Sequence, residues 1–419
     1  MSIVSKTKCH QYFIYYLYLA CMRDQIGGII LKLDRNLAST SLVVVASSLC
    51  LQLSACSGVG GMSSATSGAG GNSTLTGQVT VSGKQLLRNG AMWVPHGYYQ
   101  IAFEVPPGEL SLQQPFWGVA QQNYTPQEYS AMATASADSV RMQIAQTGAD
   151  PQNPLFSQAY LNEAIGAVKS ARLAGLTVIL SIQDEAQTGE QSPLYLPSAA
   201  TNRVWAELVP QFGSDTGIVF ELFNEPGTGP TQVPASSDWQ NWATAYNATI
   251  ASIRLEGAKN VVIADGLAHA ETLTGAPMLT DSLNLVAYAA HPYAFQASDE
   301  SSTFWDSSFG NFAASANAPV IITEWGQGYY CAATNPQTAV NFLQYLQSKG
   351  IGLEVGAWDW SSGSFGTARY NFPTSTAPNG GFTMFYTAGV FQTCGTADRG
   401  LGLTVNAWYT TGTVPSSPL

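Results

Sequence analysis

Short apolar runs with strand character alternate with helical patterns along most of this 419-residue chain. There are eight such runs: Met92 to Pro95, Ser139 to Ile144, Leu176 to Ile182, Ile218 to Phe223, Asn260 to Ala264, Leu285 to Ala290, Pro319 to Thr323 and Leu353 to Trp358. Parallel strands that are covered on both faces have this continuous apolar character, and helices connect them. Eight strand and helix units in about 280 residues predict an α/β fold, a (β/α)8 TIM barrel, rather than an open doubly wound sheet.

Two of these runs lead directly into a glutamate. The run Ile218 to Phe223 continues into Asn224-Glu225-Pro226, and the proline stops the strand because it cannot donate to a sheet ladder. The run Pro319 to Thr323 continues into Glu324-Trp325-Gly326. The carboxyl ends of barrel strands are where catalytic groups collect, and two carboxyl groups are what the hydrolysis of a glycosidic bond requires.

The ends of five predicted strands carry motifs that resemble those of glycoside hydrolase family 5, the cellulase-like retaining enzymes with a barrel fold. The resemblance runs from about Trp93 to Trp360. Its motifs are Ser139-Val140-Arg141-Met142, Asn224-Glu225-Pro226, His291-Pro292-Tyr293, Thr323-Glu324-Trp325-Gly326 and the tryptophan pair Trp358 and Trp360. The resemblance implies that Glu225 is the acid/base and Glu324 the nucleophile.

The physical roles agree with this assignment. A retaining enzyme needs one protonated carboxyl group to donate to the leaving oxygen and one ionised carboxylate about 5 Å away. We expect Glu225 to be the acid, because aromatic and apolar surroundings favour the neutral form, and Arg141 to keep Glu324 ionised. Tyr293 is expected to donate a hydrogen bond to Glu324, and His291 to adjust Glu225.

Several further residues are candidates for contact with the sugar. Asn224 is expected to bond the substrate 2-hydroxyl, and one or both of Trp358 and Trp360, which share a strand face, to form a stacking floor. Gln183 stands where the family commonly carries a histidine at the end of strand three, and it can act there as a neutral donor. His96, which follows the first predicted strand, is either a substrate contact or a turn residue.

The start of the chain has the order of a secretory signal. Lys32 and Arg35 precede an apolar run from Leu37 to Leu53, which ends in a sequence that resembles the bacterial lipobox, Leu53-Ser54-Ala55-Cys56. We therefore expect residues 1–55 to be removed and Cys56 to be lipidated, which would place the protein at the cell envelope. Ordinary signal cleavage, giving a periplasmic or extracellular protein, and an uncleaved anchor are the alternatives.

Composition separates a tether from a globular body. Residues 56–77 are almost entirely small and polar, which is typical of a flexible linker, and residues 78–419 are expected to form the catalytic domain. The segment before Cys56 carries five of the 16 Lys and Arg and two of the 27 Asp and Glu, which leaves 11 basic and 25 acidic residues and a formal net charge of −14. This charge disfavours nucleic acid and anionic polysaccharides as partners and leaves neutral glycans unaffected.

Two cysteines remain once Cys56 is lipidated. In an oxidising compartment Cys331 and Cys394 predict a disulfide, with two buried free thiols as the alternative.

The sequence thus predicts a monomeric retaining glycosidase without cofactor or metal, and β-1,4-glucan is the first expected substrate. A β-mannanase, an enzyme for another β-glucan and an exo-acting glycosidase of the same family are alternatives. A glycan-binding lipoprotein without activity and a metal-dependent hydrolase are the hypotheses from other classes, although the chain after residue 55 has only three histidines, and these have no clustered ligand spacing.

Overall fold

The computed structural model describes most of the region after residue 76. The described residues are 77–103, 124–184, 195–227, 233–293, 299–326, 336–356, 358, 385–387, 390–391 and 401–419. The expected signal segment, the linker up to residue 76, Cys56, Cys331, Cys394 and Trp360 lie outside them. The lipidation, the disulfide and the sugar-stacking role of Trp360 therefore stay predictions.

A small antiparallel sheet precedes the main fold. Its strands are Val79–Ser82 (β1), Gln85–Arg88 (β2) and Ala91–Trp93 (β3). Asn89 and Gly90, both with positive φ, join β2 to β3, as expected for an Asn-Gly hairpin turn.

Eight parallel strands then close into a barrel, which confirms the predicted TIM barrel. They are His96–Phe103 (β4), Ser139–Ala145 (β5), Thr177–Gln183 (β6), Ile218–Glu221 (β7), Val262–Asp265 (β8), Val286–Ala289 (β9), Val320–Trp325 (β10) and Gly352–Val355 (β11). Neighbours in the chain are neighbours in the barrel, and β11 pairs with β4.

The first barrel strand was predicted at the wrong place. The run Met92 to Pro95 belongs to β3 and to the connection after it, and the barrel begins at His96. Strand β4 escaped detection because its first half is not a continuous apolar run. Gly97 is required in it, since a Cβ atom there would lie 1.9 Å from Oε2 of Glu354 inside the barrel.

Helices surround the barrel. They are Pro126–Thr134, Gln146–Ala149, Gln158–Leu173, Ala199–Phe212, Ser236–Leu255, Ser302–Trp305, Asn311–Ser315, Gln337–Lys349 and Leu401–Thr411, and a π-helical turn lies at Asp306–Gly310. Two further short strands, Phe385–Thr387 (β12) and Val390–Phe391 (β13), form an antiparallel ribbon. Within the described ranges, no helix is both long enough and apolar enough to cross a membrane.

Two apolar clusters hold these layers together. The larger one lies between strands and helices. The smaller one fills the barrel with residues such as Ile179, Val219, Ile263 and Ile321, and it includes Trp93 of the antiparallel sheet. Because these apolar residues already fill the barrel, the strand positions nearer the carboxyl ends can hold polar side chains.

Glu354 is an acidic residue that the barrel buries completely. Ser139 donates a hydrogen bond to one of its carboxyl oxygens, and the other has no partner. Burial and, to a smaller extent, the negative charge of Asp138 raise the pKa of Glu354 well above its usual value. The folded protein therefore holds Glu354 as a neutral acid at pH values where the unfolded chain ionises it.

We expect Glu354→Gln to stabilise the protein increasingly as pH rises. Because the folded pKa lies above the unfolded one, the wild type loses stability as pH climbs above the ordinary glutamate range, whereas glutamine does not titrate. At each pH we compare the unfolding temperature of the variant with that of the wild type. The gain of the variant over the wild type should be larger at pH 8 than at pH 4 by about 3 °C or more. Calorimetry across this range measures it, with Glu207→Gln on an outer helix as control; a difference that does not change with pH would contradict the expectation.

Candidate active site

Glu225 and Glu324 lie side by side at the carboxyl end of the barrel. Glu225 follows β7 and Glu324 is the penultimate residue of β10, and the side chain of each is 14% exposed. One carboxylate oxygen of each and a ring nitrogen of His291 lie within 4.8 Å of one another. The structure thus brings together the two predicted acids and leaves both accessible to solvent.

The backbone of Glu225 adopts an unusual conformation. Its φ is +47°, in the left-handed region that costs about 1–2 kcal/mol for a residue with a Cβ atom. Strand β7 has already ended at Glu221, and the turn after it presents the Glu225 carboxyl group to the opening of the barrel.

Arg141 lies on β5 inside the barrel and is fully buried. Its Nη1 donates to Oε2 of Glu324 at 2.7 Å, its Nε donates to Oε2 of Glu221 at 2.5 Å, and its Nη2 donates to Oδ1 of Asn224. Burial works against the charge, but the carboxylates of Glu221 and Glu324 outweigh it, so the pKa of Arg141 is raised and the group stays cationic. Glu324 therefore lies beside a permanent positive charge, as predicted.

His291, after β9, connects Glu225 to the barrel interior. Its Nδ1 lies 3.0 Å from Oε1 of Glu225, and its Nε2 lies 2.9 Å from Oγ1 of Thr323. Thr323 in turn donates to Oε1 of Glu221 at 2.5 Å. Burial raises the pKa of Glu221, but Arg141 and His291 lower it by more, so its pKa is low and Glu221 is ionised.

Tyr293 makes the contact that was predicted for it. Its hydroxyl donates to Oε1 of Glu324 at 2.8 Å. Burial and then the charge of Glu324 raise the pKa of Tyr293 well above its usual value, so the phenol stays a donor. The hydroxyl of Tyr99 lies 3.3 Å away, and Gly356 makes room for it, since a Cβ atom there would lie 1.7 Å from the Tyr99 ring.

Gln183 ends β6 at the same side of the barrel and is buried. Its amide oxygen accepts a hydrogen bond from Nε2 of Gln143 on β5. The next residue, Asp184, accepts from Gln146 at 2.7 Å. An amide pair therefore stands between β5 and β6 near the site.

Two of the predicted contact residues lie elsewhere. His96 is the first residue of β4, at the amino end of the barrel, where its ring stacks on Tyr409 with centroids 4.6 Å apart and burial lowers its pKa to about 4. It is neither a substrate contact nor a turn residue. Trp358 is fully buried against Tyr98, and its indole donates to Glu128 at 2.9 Å, so the prediction that it forms a sugar floor is wrong.

Four residues of the site were not predicted: Tyr99, Glu221, Asp265 and Thr323. The sequence could have indicated Glu221 and Asp265, since each is a lone acid in a buried apolar strand. A buried charge is costly unless it is paired. The sequence could not have indicated Tyr99 and Thr323, because their importance arises from contacts with distant parts of the chain.

In the part of the chain that the structure describes, two groups of side chains have the spacing of a metal site: Glu221, Asp265 and His291, and also Glu225, His291 and Glu324. Arg141 forms ion pairs with Glu221 and Glu324, and therefore already supplies a positive charge to both groups. That charge repels a cation from either position, so these residues do not fit a metal.

A closed barrel with two partly exposed carboxyl groups at its carboxyl end is the arrangement expected of a glycoside hydrolase. The chain belongs to the Cellulase family, glycosyl hydrolase family 5, whose sequence model matches residues 102–364. Its enzymatic class is thereby established.

Solved structures share the fold. A β-glucanase of Saccharophagus degradans, also solved with cellotetraose, is 20% identical with a TM-score of 0.57, over 80% of this chain and 94% of that one. A hyperthermophilic endocellulase of the archaeon Pyrococcus horikoshii is 16% identical with a TM-score of 0.54, over 68% and 92%. At these sequence identities, the similarity to the solved structures establishes a shared fold and nothing further.

Proposed function

We propose that this protein is a retaining endo-β-1,4-glucanase that uses Glu225 as acid/base and Glu324 as nucleophile. The observation that carries the proposal is the approach of the two carboxylate oxygens to within 4.8 Å. Retaining enzymes hold their carboxyl groups about 5–5.5 Å apart, whereas inverting enzymes need about 6.5–9.5 Å to admit a water molecule between carboxyl and sugar.

The donors around each carboxyl group support the two roles. Glu324 accepts from the cationic Arg141 at one oxygen and from Tyr293 at the other, which favours its ionised form. Glu225 contacts the imidazole of His291, whose Nδ1 lies 3.0 Å from its Oε1. A double displacement requires an ionised nucleophile and a protonated acid, and these different surroundings support that division of roles.

The hydrogen bonds below His291 determine which of its nitrogens carries the proton. Thr323 has one hydroxyl hydrogen and gives it to the carboxylate of Glu221, so Thr323 must accept from Nε2 of His291. We propose that His291 is the neutral imidazole with its proton on Nε2, which leaves a lone pair on Nδ1. In that state Glu225 is the donor in the 3.0 Å contact with Nδ1, and its carboxyl group carries the proton that acid catalysis requires.

The reaction then follows in two displacements. Glu324 attacks the anomeric carbon while Glu225 gives its proton to the glycosidic oxygen, so the leaving sugar departs as an alcohol and a glycosyl ester forms on Glu324. Water next attacks the same carbon from the opposite side, and Glu225 takes its proton. The product retains the β configuration, and both carboxyl groups return to their starting states.

Two observations favour β-1,4-glucan as the substrate. The net charge of the expected mature chain favours a neutral glycan. The solved β-glucanase that shares this fold was crystallised with cellotetraose, a β-linked glucose oligomer. Mannan and other β-glucans are the competing substrates.

Product analysis tests the proposal. The purified protein is incubated with neutral barley β-glucan, hydroxyethyl cellulose, mannan and cellopentaose, and proton NMR follows the configuration of the new reducing ends. We expect β-anomers first and a ladder of oligosaccharides from a glucan, with Glu324→Gln inactive under the same conditions. The early appearance of α-anomers would rule out retention, and the release of monosaccharide alone would rule out endo action.

We also propose that the enzyme is exported and held at the cell envelope by a lipid on Cys56. The lipobox-like sequence before Cys56 and the small polar residues after it support this. Labelling of growing cells with radioactive palmitate should mark the wild type and leave Cys56→Ser unlabelled. Equal labelling of both would exclude the anchor.

A further inference from the structure

Within the described chain, four hydrogen bonds tie backbone groups of residues 224–227 to neighbouring segments, in addition to the side-chain contacts of Asn224 and Glu225. Asn224 N–H donates to Ile182 O at 2.8 Å, His269 N–H donates to Pro226 O at 3.0 Å, and Gly227 N–H donates to Tyr195 O at 3.1 Å. These three join backbone to backbone. The fourth, from the N–H of Glu225 itself, goes to Oδ2 of the Asp265 side chain at 3.1 Å.

Loss of the Asp265 side chain would therefore remove a direct restraint on the backbone N–H of the proposed acid/base. Asp265 ends β8, the strand beside β7, and is completely buried. Since Glu225 has a left-handed φ, its backbone has a strong tendency to relax if the N–H bond is lost. A relaxed turn would move the Glu225 carboxyl group away from the position in which it protonates a glycosidic oxygen.

The surroundings of Asp265 indicate that it is a neutral acid. One carboxyl oxygen of Asp265 lies within 4.8 Å of one of Glu221, and Oδ1 of Asp265 is buried without a hydrogen-bond partner in the described chain. Two carboxyl groups this close in a buried site disfavour a second negative charge. Glu221 is paired with Arg141 at 2.5 Å and is ionised, so Asp265 is the group that is favoured to carry a proton. Burial and the charge of Glu221 raise the pKa of Asp265 well above its usual value, which agrees with this assignment.

We propose that Asp265, as a neutral carboxylic acid, is a positioning residue that fixes the backbone of Glu225 and aims the proposed acid/base at the glycosidic oxygen. This inference rests on the proposed function of Glu225. Oδ2 of Asp265 accepts from the Glu225 N–H, and its carboxyl group lies beside that of Glu221. Glu221 is paired with Arg141, which also binds Glu324.

A matched pair of variants separates this role from a purely structural one. Asparagine has the shape of a neutral aspartic acid and keeps an oxygen that can accept from the Glu225 N–H. Leucine has nearly the same shape but has no acceptor. Asp265→Asn should therefore keep kcat on cellopentaose within about threefold of the wild type, whereas Asp265→Leu should lower kcat about 100-fold and change KM less than threefold.

A second substrate tests whether acid catalysis is the step that is lost. 2,4-Dinitrophenyl β-cellobioside has a leaving group that departs without protonation. In the full chain of Asp265→Leu, the burst of dinitrophenolate that accompanies formation of the glycosyl enzyme should stay within about threefold of the wild type. The unfolding temperature of each variant is measured alongside.

Three results would overturn the proposal. These are an Asp265→Leu variant with wild-type kcat on cellopentaose, an Asp265→Asn variant as impaired as the leucine variant, and a burst reduced as much as turnover of cellopentaose. If Asp265→Leu does not fold, the asparagine variant still decides, because a 100-fold loss there would show that the charged form is needed. Failure of the proposed function is recognised separately, by activity that persists in Glu324→Gln.

Discussion

Replacing Glu324 with glutamine is expected to lower kcat on β-glucan by about 10⁴-fold or more, while the protein still folds. Glutamine has nearly the same shape, but its amide oxygen is a poor nucleophile and cannot form the glycosyl ester. Arg141 keeps its 2.5 Å ion pair with Glu221, so the buried guanidinium is not left without a counter-charge. The measurement is the rate at which reducing ends are released, with detection that extends to 10⁻⁴ of the wild-type rate.

Covalent trapping gives this prediction an independent control. A 2-fluoro cellobioside with a good leaving group should lose that group and add one fluorocellobiosyl group to the wild type at Glu324, as mass spectrometry of peptides would show. It should add none to the variant. Glu207→Gln, on the helix Ala199–Phe212, should behave as the wild type in both assays. Activity of the Glu324 variant within tenfold of the wild type would exclude Glu324 as the nucleophile.

The sequence predicted the barrel because buried parallel strands are apolar on both faces. Strands β5 to β11 all overlap the predicted runs. Strand β4 was missed because its inward positions hold Gly97 and Tyr99, which serve close packing and the site rather than an apolar filling. The helix Leu401–Thr411 was also missed, since its threonines, valine and glycine have low helix propensity, and packing against the barrel stabilises it instead.

Predictions about individual side chains succeeded where position in a strand determines direction. A residue at the carboxyl end of a barrel strand faces the site by geometry, and the structure places Glu225 and Glu324 there. Arg141, which was predicted from the resemblance, lies earlier in its strand and reaches Glu324 from inside the barrel. The same reasoning failed for Trp358, because a tryptophan after a strand can turn outward to a helix as readily as inward, and here Glu128 and Tyr98 hold it outside. Burial of this kind depends on tertiary contacts that local sequence does not contain.

The network of Glu221, Asp265 and Thr323 was beyond sequence reasoning for a related reason. Its hydrogen bonds join residues of β7, β8 and β10 to His291, and some of these residues are about one hundred positions apart in the chain. A lone acid in an apolar strand indicates a buried partner but does not identify it. The charge states follow only from the assembled geometry, in which one arginine serves two carboxylates and a third carboxyl group must keep its proton.

Replacing Glu225 with alanine is expected to lower kcat on cellopentaose about 10³-fold, and the size of the loss should depend on the leaving group. Cellopentaose releases a sugar alcohol that needs a proton, whereas 2,4-dinitrophenolate leaves without one. The first step with a dinitrophenyl cellobioside should therefore stay near the wild-type rate. Hydrolysis of the glycosyl enzyme should remain slow, because no base is left to activate water.

Azide provides the decisive control for Glu225→Ala, because it is a nucleophile that needs no base and can enter the space that the carboxyl group vacates. We expect it to accelerate turnover of the dinitrophenyl substrate at least tenfold and to give a β-glycosyl azide, whose configuration reports retention. The pH profile of the variant should also lose its alkaline limb, since the acid whose ionisation ends activity is gone. Wild-type turnover of cellopentaose, or an α-azide product, would show that the acid/base has been assigned to the wrong residue.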